Sequence, residues 1–208
     1  MLADGLGGHG GGELAAHLAV QAALACFRGE AGAKPGALLE AAQREILRNQ
    51  MLHPMQSQMR TTAVVLVAEN GHVEWAHVGD SRLYLFRAGR VVWQTKDHSV
   101  PQSLVNAGEL DPGQIRFHED RSRLVRSLGA EGAARPAVLD QAEATLPGDA
   151  FLLASDGFWE WVTEGEMEAE LARAGTAEGW LAAMCARLRA RASPDHDNYS
   201  AIAVFVCE

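Results

Sequence analysis

The dipeptide Asn70-Gly71, set between two apolar runs, constrains this chain more than any other feature. Thr61–Ala68 is β-branched and apolar, and His72–Val78 resumes a strand-like texture, so the pair reads as a hairpin closed by a turn that favours positive φ. Leu83–Arg87 and Arg90–Gln94, joined by Ala88-Gly89, predict a second hairpin. Upstream, Leu14, Leu18, Ala22 and Ala25 line one stripe of a helix over Glu13–Phe27. A second helix runs from Pro35, a good first-turn residue, to about Met51. Downstream, Val138–Ala144, Phe151–Ala154 and Ala201–Val206 are predicted strands. Thr163–Arg173 and Thr176–Arg191 are predicted helices, the first opening with Thr163 and Glu166 at capping-box spacing. Lys96–Gly129 is polar, carries one short helix near Gln102–Ala107, and reads as a surface flap over about 96–129. The order is helices, hairpins, helices, strand, without alternating βαβ units. It predicts an α+β fold of antiparallel sheets with helices packed outside.

With 208 residues, 48% of them hydrophobic, the chain can bury one sizeable core, so residues 1–208 read as a single domain. A net charge of −9 argues against nucleic acid and anionic membranes as partners. Cys26, Cys185 and Cys207 are odd in number and far apart, with no CxxC pair, which fits a reducing, cytoplasmic setting. The apolar stretch Leu14–Phe27 is too short and too polar to span a bilayer.

Four aspartates lie in short turns spread over the whole chain: Asp4 before Gly5, Asp80 after Gly79, Asp156 before Gly157, and Asp197 before Asn198. Carboxylates gathered at strand ends repel one another unless a cation sits between them, and hard divalent ions bound by oxygen are the usual solution. Each acid also has a structural alternative, because Asp before Gly favours turns for backbone reasons alone. Asp80 could pair with Arg82, Asp97-His98 could be a polar turn, and the flap arginines could be a solvated face.

Other motifs lack the context their chemistry needs. Gly5-x-Gly7-x-x-Gly10 matches a dinucleotide fingerprint, but no strand of useful length precedes it. His9-Gly10-Gly11-Gly12 imitates an esterase oxyanion loop, yet no GxSxG elbow supplies a nucleophile. HExxH and GxxxxGK[ST] are both absent from the sequence.

The strings ADGLGGHGGGE, RTTAVVLV, AHVGDSRLYLFR, TKDHS, LVRSLG, DAFLLASDGFWEWV and DNYSAIAV occur in this order. Together they resemble the bacterial PP2C-type (PPM) metal-dependent protein serine/threonine phosphatases, from residue 2 to residue 206. The resemblance implies a central sandwich of two antiparallel β-sheets flanked by α-helix pairs (α-β-β-α), with a binuclear Mn²⁺ or Mg²⁺ centre at one end. By the same resemblance, Asp4 bridges both ions, Gly5 ligates through its carbonyl, and Asp156 and Asp197 complete the carboxylates. Asp80 matches the acid of a third, weaker ion, Asn198 helps orient its neighbour, and His9 is the candidate general acid. Implied partners are phosphorylated proteins, an opposing serine/threonine kinase and, from the flap block, type VI secretion components.

Relatives of this kind begin with two further strands, which carry an arginine for phosphate and an Asn-Glu-Asp-like segment. This chain starts three residues before Asp4, so the expectation is an N-terminally incomplete or mis-started domain. The favoured function is hydrolysis of phosphoserine and phosphothreonine by metal-activated water. The alternatives are a catalytically impaired module that binds phosphoproteins or a kinase, and a small-molecule phosphoesterase on the same scaffold.

Overall fold

The computed structural model describes residues 1–7, 11–193 and 196–207. His9 lies outside the described residues, and so does its expected role as general acid.

The chain opens with β1 (Gly5–Leu6), then α1 (Gly11–Gly29) and α2 (Pro35–Leu52), the latter entered through Pro35 in its first turn. β2 (Arg60–Thr61) pairs antiparallel with β1. β3 (Ala63–Glu69) and β4 (His72–Val78) form the first hairpin, with Glu69 opposite His72. Its turn residues Asn70 and Gly71 have φ of 51° and 74°, the left-handed pair that matches strand twist. Ala88 and Gly89 repeat this at 50° and 74° between β5 (Arg82–Arg87) and β6 (Arg90–Gln94). In the flap, α3 (Val100–Ala107) is capped by the Ser99 side chain, which accepts from the Gln102 N–H, and ends on left-handed Gly108. A 3₁₀ turn over Pro112–Phe117 follows.

The predicted strand Val138–Ala144 is instead two short pieces, β7 (Ala137–Val138) and β8 (Glu143–Ala144), which pair with opposite ends of β4. Leu139 still donates its N–H to the Trp75 carbonyl at 3.0 Å, and the chain leaves the ladder after it; Asp140 there is a poor strand former. The chain continues through β9 (Ala150–Ala154), α4 (Asp156–Trp159), α5 (Glu164–Leu171) with its Thr163/Glu166 capping box, α6 (Ala177–Arg191) and β10 (Ala201–Phe205).

All strand pairings among the described residues are antiparallel. One leaf has the order β10-β9-β5-β6 and the other β3-β4-β7, with β8 also on β4. Three apolar clusters hold the layers. Leu38, Leu39 and Ile46 of α2 pack with Ala15, Ala19 and Ala23 of α1 against Val65 and Ala76. Trp180, Met184 and Leu188 of α6 pack on Tyr84, Phe86 and Leu152. Between the leaves lie Val64, Val73, Trp75, Leu83, Leu85, Phe151 and Leu153. The result is the expected helix-sheet-sheet-helix layering. The buried stripe of α1 is not the predicted one. Its alanines face inward, while Leu14 and Leu18 are only partly buried and Ala25 is exposed. Small side chains let α1 lie close to α2. Among the described residues no helix is long and apolar enough to cross a membrane.

Candidate metal centre

Strand register carries four distant turns to one end of the sandwich. Ala63, the first residue of β3, faces Val78, the last of β4. Arg82 at the start of β5 and Ala201 at the start of β10 both face Ala154 at the end of β9. Leu2 bridges to Val64 and runs toward the same end. Asp4, Asp80, Asp156 and Asp197 all lie just beyond these positions.

Each turn has local causes. The Asp4 carbonyl accepts from the Thr62 N–H (2.8 Å) and from Thr61 Oγ1 (2.7 Å), which fixes the backbone beside it. A Cβ on Gly5 would stand 2.2 Å from the Gly12 backbone, so only glycine lets this turn press against the start of α1. Asp80 is 4% exposed, and its carbonyl accepts from Trp159 Nε1–H at 2.9 Å. Next to it, Ser81 Oγ and Thr62 Oγ1 are 2.6 Å apart. Asp156 opens α4 and accepts the Gly157 N–H on Oδ1 at 2.7 Å. The Ser155 N–H donates to the Ser200 carbonyl (3.0 Å), and the Ser200 N–H returns to Ser155 Oγ (3.0 Å). A Cβ on Gly157 would lie 2.2 Å from the Asn198 carbonyl oxygen, so glycine permits the close passage of the 156 and 197 turns. Asp197 is exposed, and its Oδ1 accepts the Asn198 N–H at 2.7 Å.

The electrostatics show which acids meet. Burial pushes the Asp4 carboxyl up to about 7, helped by the charge of Asp156, a side-chain hydrogen bond with Asp156, and the charge of Asp197. Burial also raises Asp156, with Asp197 and Asp97 adding repulsion. Asp80 is held well above the ordinary range, first by burial and then by Asp156, Asp97 and Asp4. Three acids raised together by burial and by one another's charge mark a place that favours added positive charge. Among the described residues no three His, Cys, Asp or Glu side chains close around one point. Asp156 accepts from the Gly157 backbone and Asp197 from the Asn198 backbone. The donor chemistry nevertheless fits Mn²⁺ or Mg²⁺, because carboxylate and carbonyl oxygens are what hard ions take.

Sequence reasoning missed the support beneath this end. Arg82 does not pair with Asp80. It grips Asp97, Nε to Oδ1 at 2.8 Å and Nη2 to Oδ2 at 2.7 Å. Its guanidinium carbon lies 3.5 Å from the Trp159 ring centroid. Arg116 is no solvated flap residue either: it is largely buried and holds both Glu164 oxygens at 2.9 Å. At the rim, Arg121 Nε lies 3.0 Å from Glu160 Oε1, tying the flap to the turn after Asp156. Runs of sequence carry no sign of these partnerships, since each joins residues from separate elements.

A two-leaf antiparallel sandwich with an acidic, oxygen-rich end and an overlying flap is the architecture of metal-dependent phosphatases. A sequence profile described as Protein phosphatase 2C matches residues 1–198, and the chain belongs to that family. It is 33% identical over 167 residues to the serine/threonine protein phosphatase PstP of Mycobacterium tuberculosis, covering 78% of this chain and 32% of that protein. The chain thus spans 32% of that relative's length. It is 30% identical over 181 residues to the serine/threonine phosphatase stp of Listeria monocytogenes, covering 81% and 69%. The crystal structure of the Mycobacterium tuberculosis phosphatase PstP/Ppp superposes with a TM-score of 0.83 at 30% identity, covering 99% of this chain and 87% of that one. The catalytic domain of PstP in complex with two manganese ions superposes with a TM-score of 0.81 at 27% identity, covering 99% and 86%.

Proposed function

We propose that this chain is a divalent-metal-dependent protein phosphatase that hydrolyses phosphoserine and phosphothreonine with water. The observation that carries this reading is the strand register that brings the turns of Asp4, Asp80, Asp156 and Asp197 to one end of the sandwich, where burial and mutual repulsion raise Asp4, Asp80 and Asp156. Family membership and the two manganese ions of the PstP structure support it.

In this reading Asp4, Asp156, Asp197 and the Gly5 carbonyl hold two ions, Mn²⁺ or Mg²⁺, and Asp80 serves a third. Bound ions of this kind supply positive charge against the phosphoryl oxygens and lower the pKa of bound water. The chain's own residues do the rest. Asp4, raised to about 7 without metal, would lose its proton on binding a cation, so binding would release protons and tighten with rising pH. The Asn198 N–H on Asp197 Oδ1 leaves Oδ2 for a cation, as Gly157 does for Asp156. The buried Asp80 backbone is fixed by Trp159, which keeps that carboxylate facing its three acidic neighbours. No protein nucleophile is needed, and the departing serine or threonine oxygen takes a proton, for which His9 is the candidate donor.

Phosphorylated proteins are the partners this activity requires, with an opposing kinase and a cytoplasmic setting. Type VI secretion components stand as a further partner class. Pseudomonas aeruginosa PppA, described as a key regulatory component of that system, shares the fold at a TM-score of 0.75 and 23% identity. That likeness supports the scaffold alone.

The test is hydrolysis of a phosphothreonine peptide with Mn²⁺, before and after chelation, by the wild type and Asp156→Asn. Turnover that needs metal and vanishes in the variant is expected. Turnover surviving both treatments defeats the proposal, and preference for metabolite phosphates over peptides reassigns the substrate. The outward-turned Asp197 favours a second reading, a phosphoprotein-binding module without turnover. That reading predicts peptide binding in the same assay with no phosphate released.

A further inference from the structure

A cavity of about 660 Å³ opens between the two leaves, where the edge strands β6 and β7 face each other. None of Asp4, Asp80, Asp156 and Asp197 lines it. One wall is aromatic: Trp75 is buried, Trp93 is 48% exposed, and their ring centroids are 5.8 Å apart at 56°. The polar part mixes neutral Gln94, Thr95, Gln102 and Asn106 with two cations. Lys96 has no ion pair among the described residues, and Arg126 makes only a 3.4 Å hydrogen bond to the Arg135 carbonyl. The one carboxylate in the lining, Asp97, has both oxygens committed to Arg82.

Two stacked imidazoles, His77 and His98, complete the lining, with centroids 4.7 Å apart and planes within 9°. His98 Nδ1 accepts the Gly79 N–H at 3.2 Å, so the ring's own proton sits on Nε2. That Nε2 has no partner among the described residues, and no buried side-chain nitrogen there is left unsatisfied, so it opens to the cavity. A protein with net charge −9 therefore carries a hollow furnished with two uncompensated cations, a free N–H donor and an indole face.

We propose that this inter-leaf cavity is a binding site for a small flat aromatic anion of the nucleoside monophosphate class. The ring stacks on Trp93, and the anionic group is taken by Lys96, Arg126 and His98 Nε2–H. The cavity size lies within the range of about 300–1,000 Å³ typical of small-molecule sites. Stacking on an indole and charge-assisted hydrogen bonds are additive attractions that neither a neutral ring nor a bare anion receives in full. Asp97 and His98 place this wall next to the Asp80 turn, but none of the four acids lines the cavity, and the proposal does not depend on the phosphatase reading.

Equilibrium dialysis or calorimetry with adenosine 5′-monophosphate on the full chain, with chelator present, tests the proposal. One saturable site per chain is expected. Adenosine and inorganic phosphate should each bind about tenfold or more weaker, since each loses either the ionic or the stacking contribution. Trp93→Ala and Arg126→Glu should each weaken the monophosphate about tenfold; thermal unfolding stays unchanged in Arg126→Glu, whereas Trp93→Ala also loses its contact with Trp75. Absence of saturable binding, binding that requires added metal, or affinity unaltered in both variants overturns the proposal.

Discussion

Arg82 clasps Asp97 through two parallel hydrogen bonds of 2.8 and 2.7 Å, and both side chains are buried. The pair joins β5 to the loop before α3, at the level of the acidic end. Taking one partner away strands a charge in a poorly solvated site, which costs far more than the intact pair contributes. Asp97→Ala should lower unfolding free energy by about 3–5 kcal/mol in urea denaturation. Arg82→Met combined with Asp97→Leu should lose much less than the sum of the two single changes. Additive losses would show that the two residues act independently.

Asp156→Asn removes the charge that acts on both Asp4 and Asp80 at the proposed centre. Manganese affinity should fall by more than the roughly 10–100-fold that follows loss of a group merely supporting a ligand. Calorimetric titration of Mn²⁺ reads this directly, apart from any turnover assay. Unchanged affinity would remove Asp156 from the site.

The metal-free protein should lose stability as pH rises from about 4 to about 7. Asp4 rises from its ordinary 3.8 to about 7 in the folded chain. Below about pH 4 it is protonated in both states and imposes no penalty. As pH climbs through 7 the folded protein is forced to ionise a half-buried acid beside Asp156, so folding stability is lost. Asp4→Asn should flatten this slope, and saturating Mn²⁺ should reverse it. Melting temperatures at half-unit pH steps supply the check, and an undiminished slope in Asp4→Asn would assign the effect elsewhere.

Gly157→Ala places a methyl group where the Asn198 carbonyl oxygen already stands. The backbone must give way, at a cost of about 1–3 kcal/mol. Because this contact brings the 156 and 197 turns together, Mn²⁺ affinity should fall with stability. Chemical unfolding and metal titration on the same sample measure both. A stability loss with full metal affinity would mean that Asp197 is not a ligand.

Trp159→Phe keeps a ring under Arg82 but deletes the N–H that satisfies the Asp80 carbonyl. An orphaned buried carbonyl costs about 1–3 kcal/mol. Urea unfolding should show that loss, and none would indicate that water replaces the indole.

Much of the fold was legible because local chemistry agreed with tertiary demand. Asn70-Gly71 and Ala88-Gly89 fixed two hairpins, and Thr163 with Glu166 fixed a helix start, all within a few residues of sequence. Three features escaped. The stripe of α1 was misassigned because leucine periodicity outweighs alanine on any hydropathy basis, whereas close helix approach selects the small face. The strand over Val138–Ala144 was overextended, since Asp140 breaks it without a glycine or proline to mark the place. The Arg82–Asp97–Trp159 support was invisible because it joins three elements, and charge alone suggested Asp80 as the partner of Arg82. The acidic turns were individually ambiguous. Their convergence is a property of strand register, which no single turn encodes.

The acids at the sandwich end belong to different leaves: Asp4 follows the β3 side, whereas Asp156 and Asp197 flank β9 and β10. The layer of Val64, Trp75, Leu85 and Phe151 between the leaves therefore works as a spacer that sets the gap a cation at the proposed centre would have to bridge. A substitution deep in that layer, remote from every ligand, can retune cation affinity by sliding one sheet over the other, so selection on metal use can leave its mark in the hydrophobic interior.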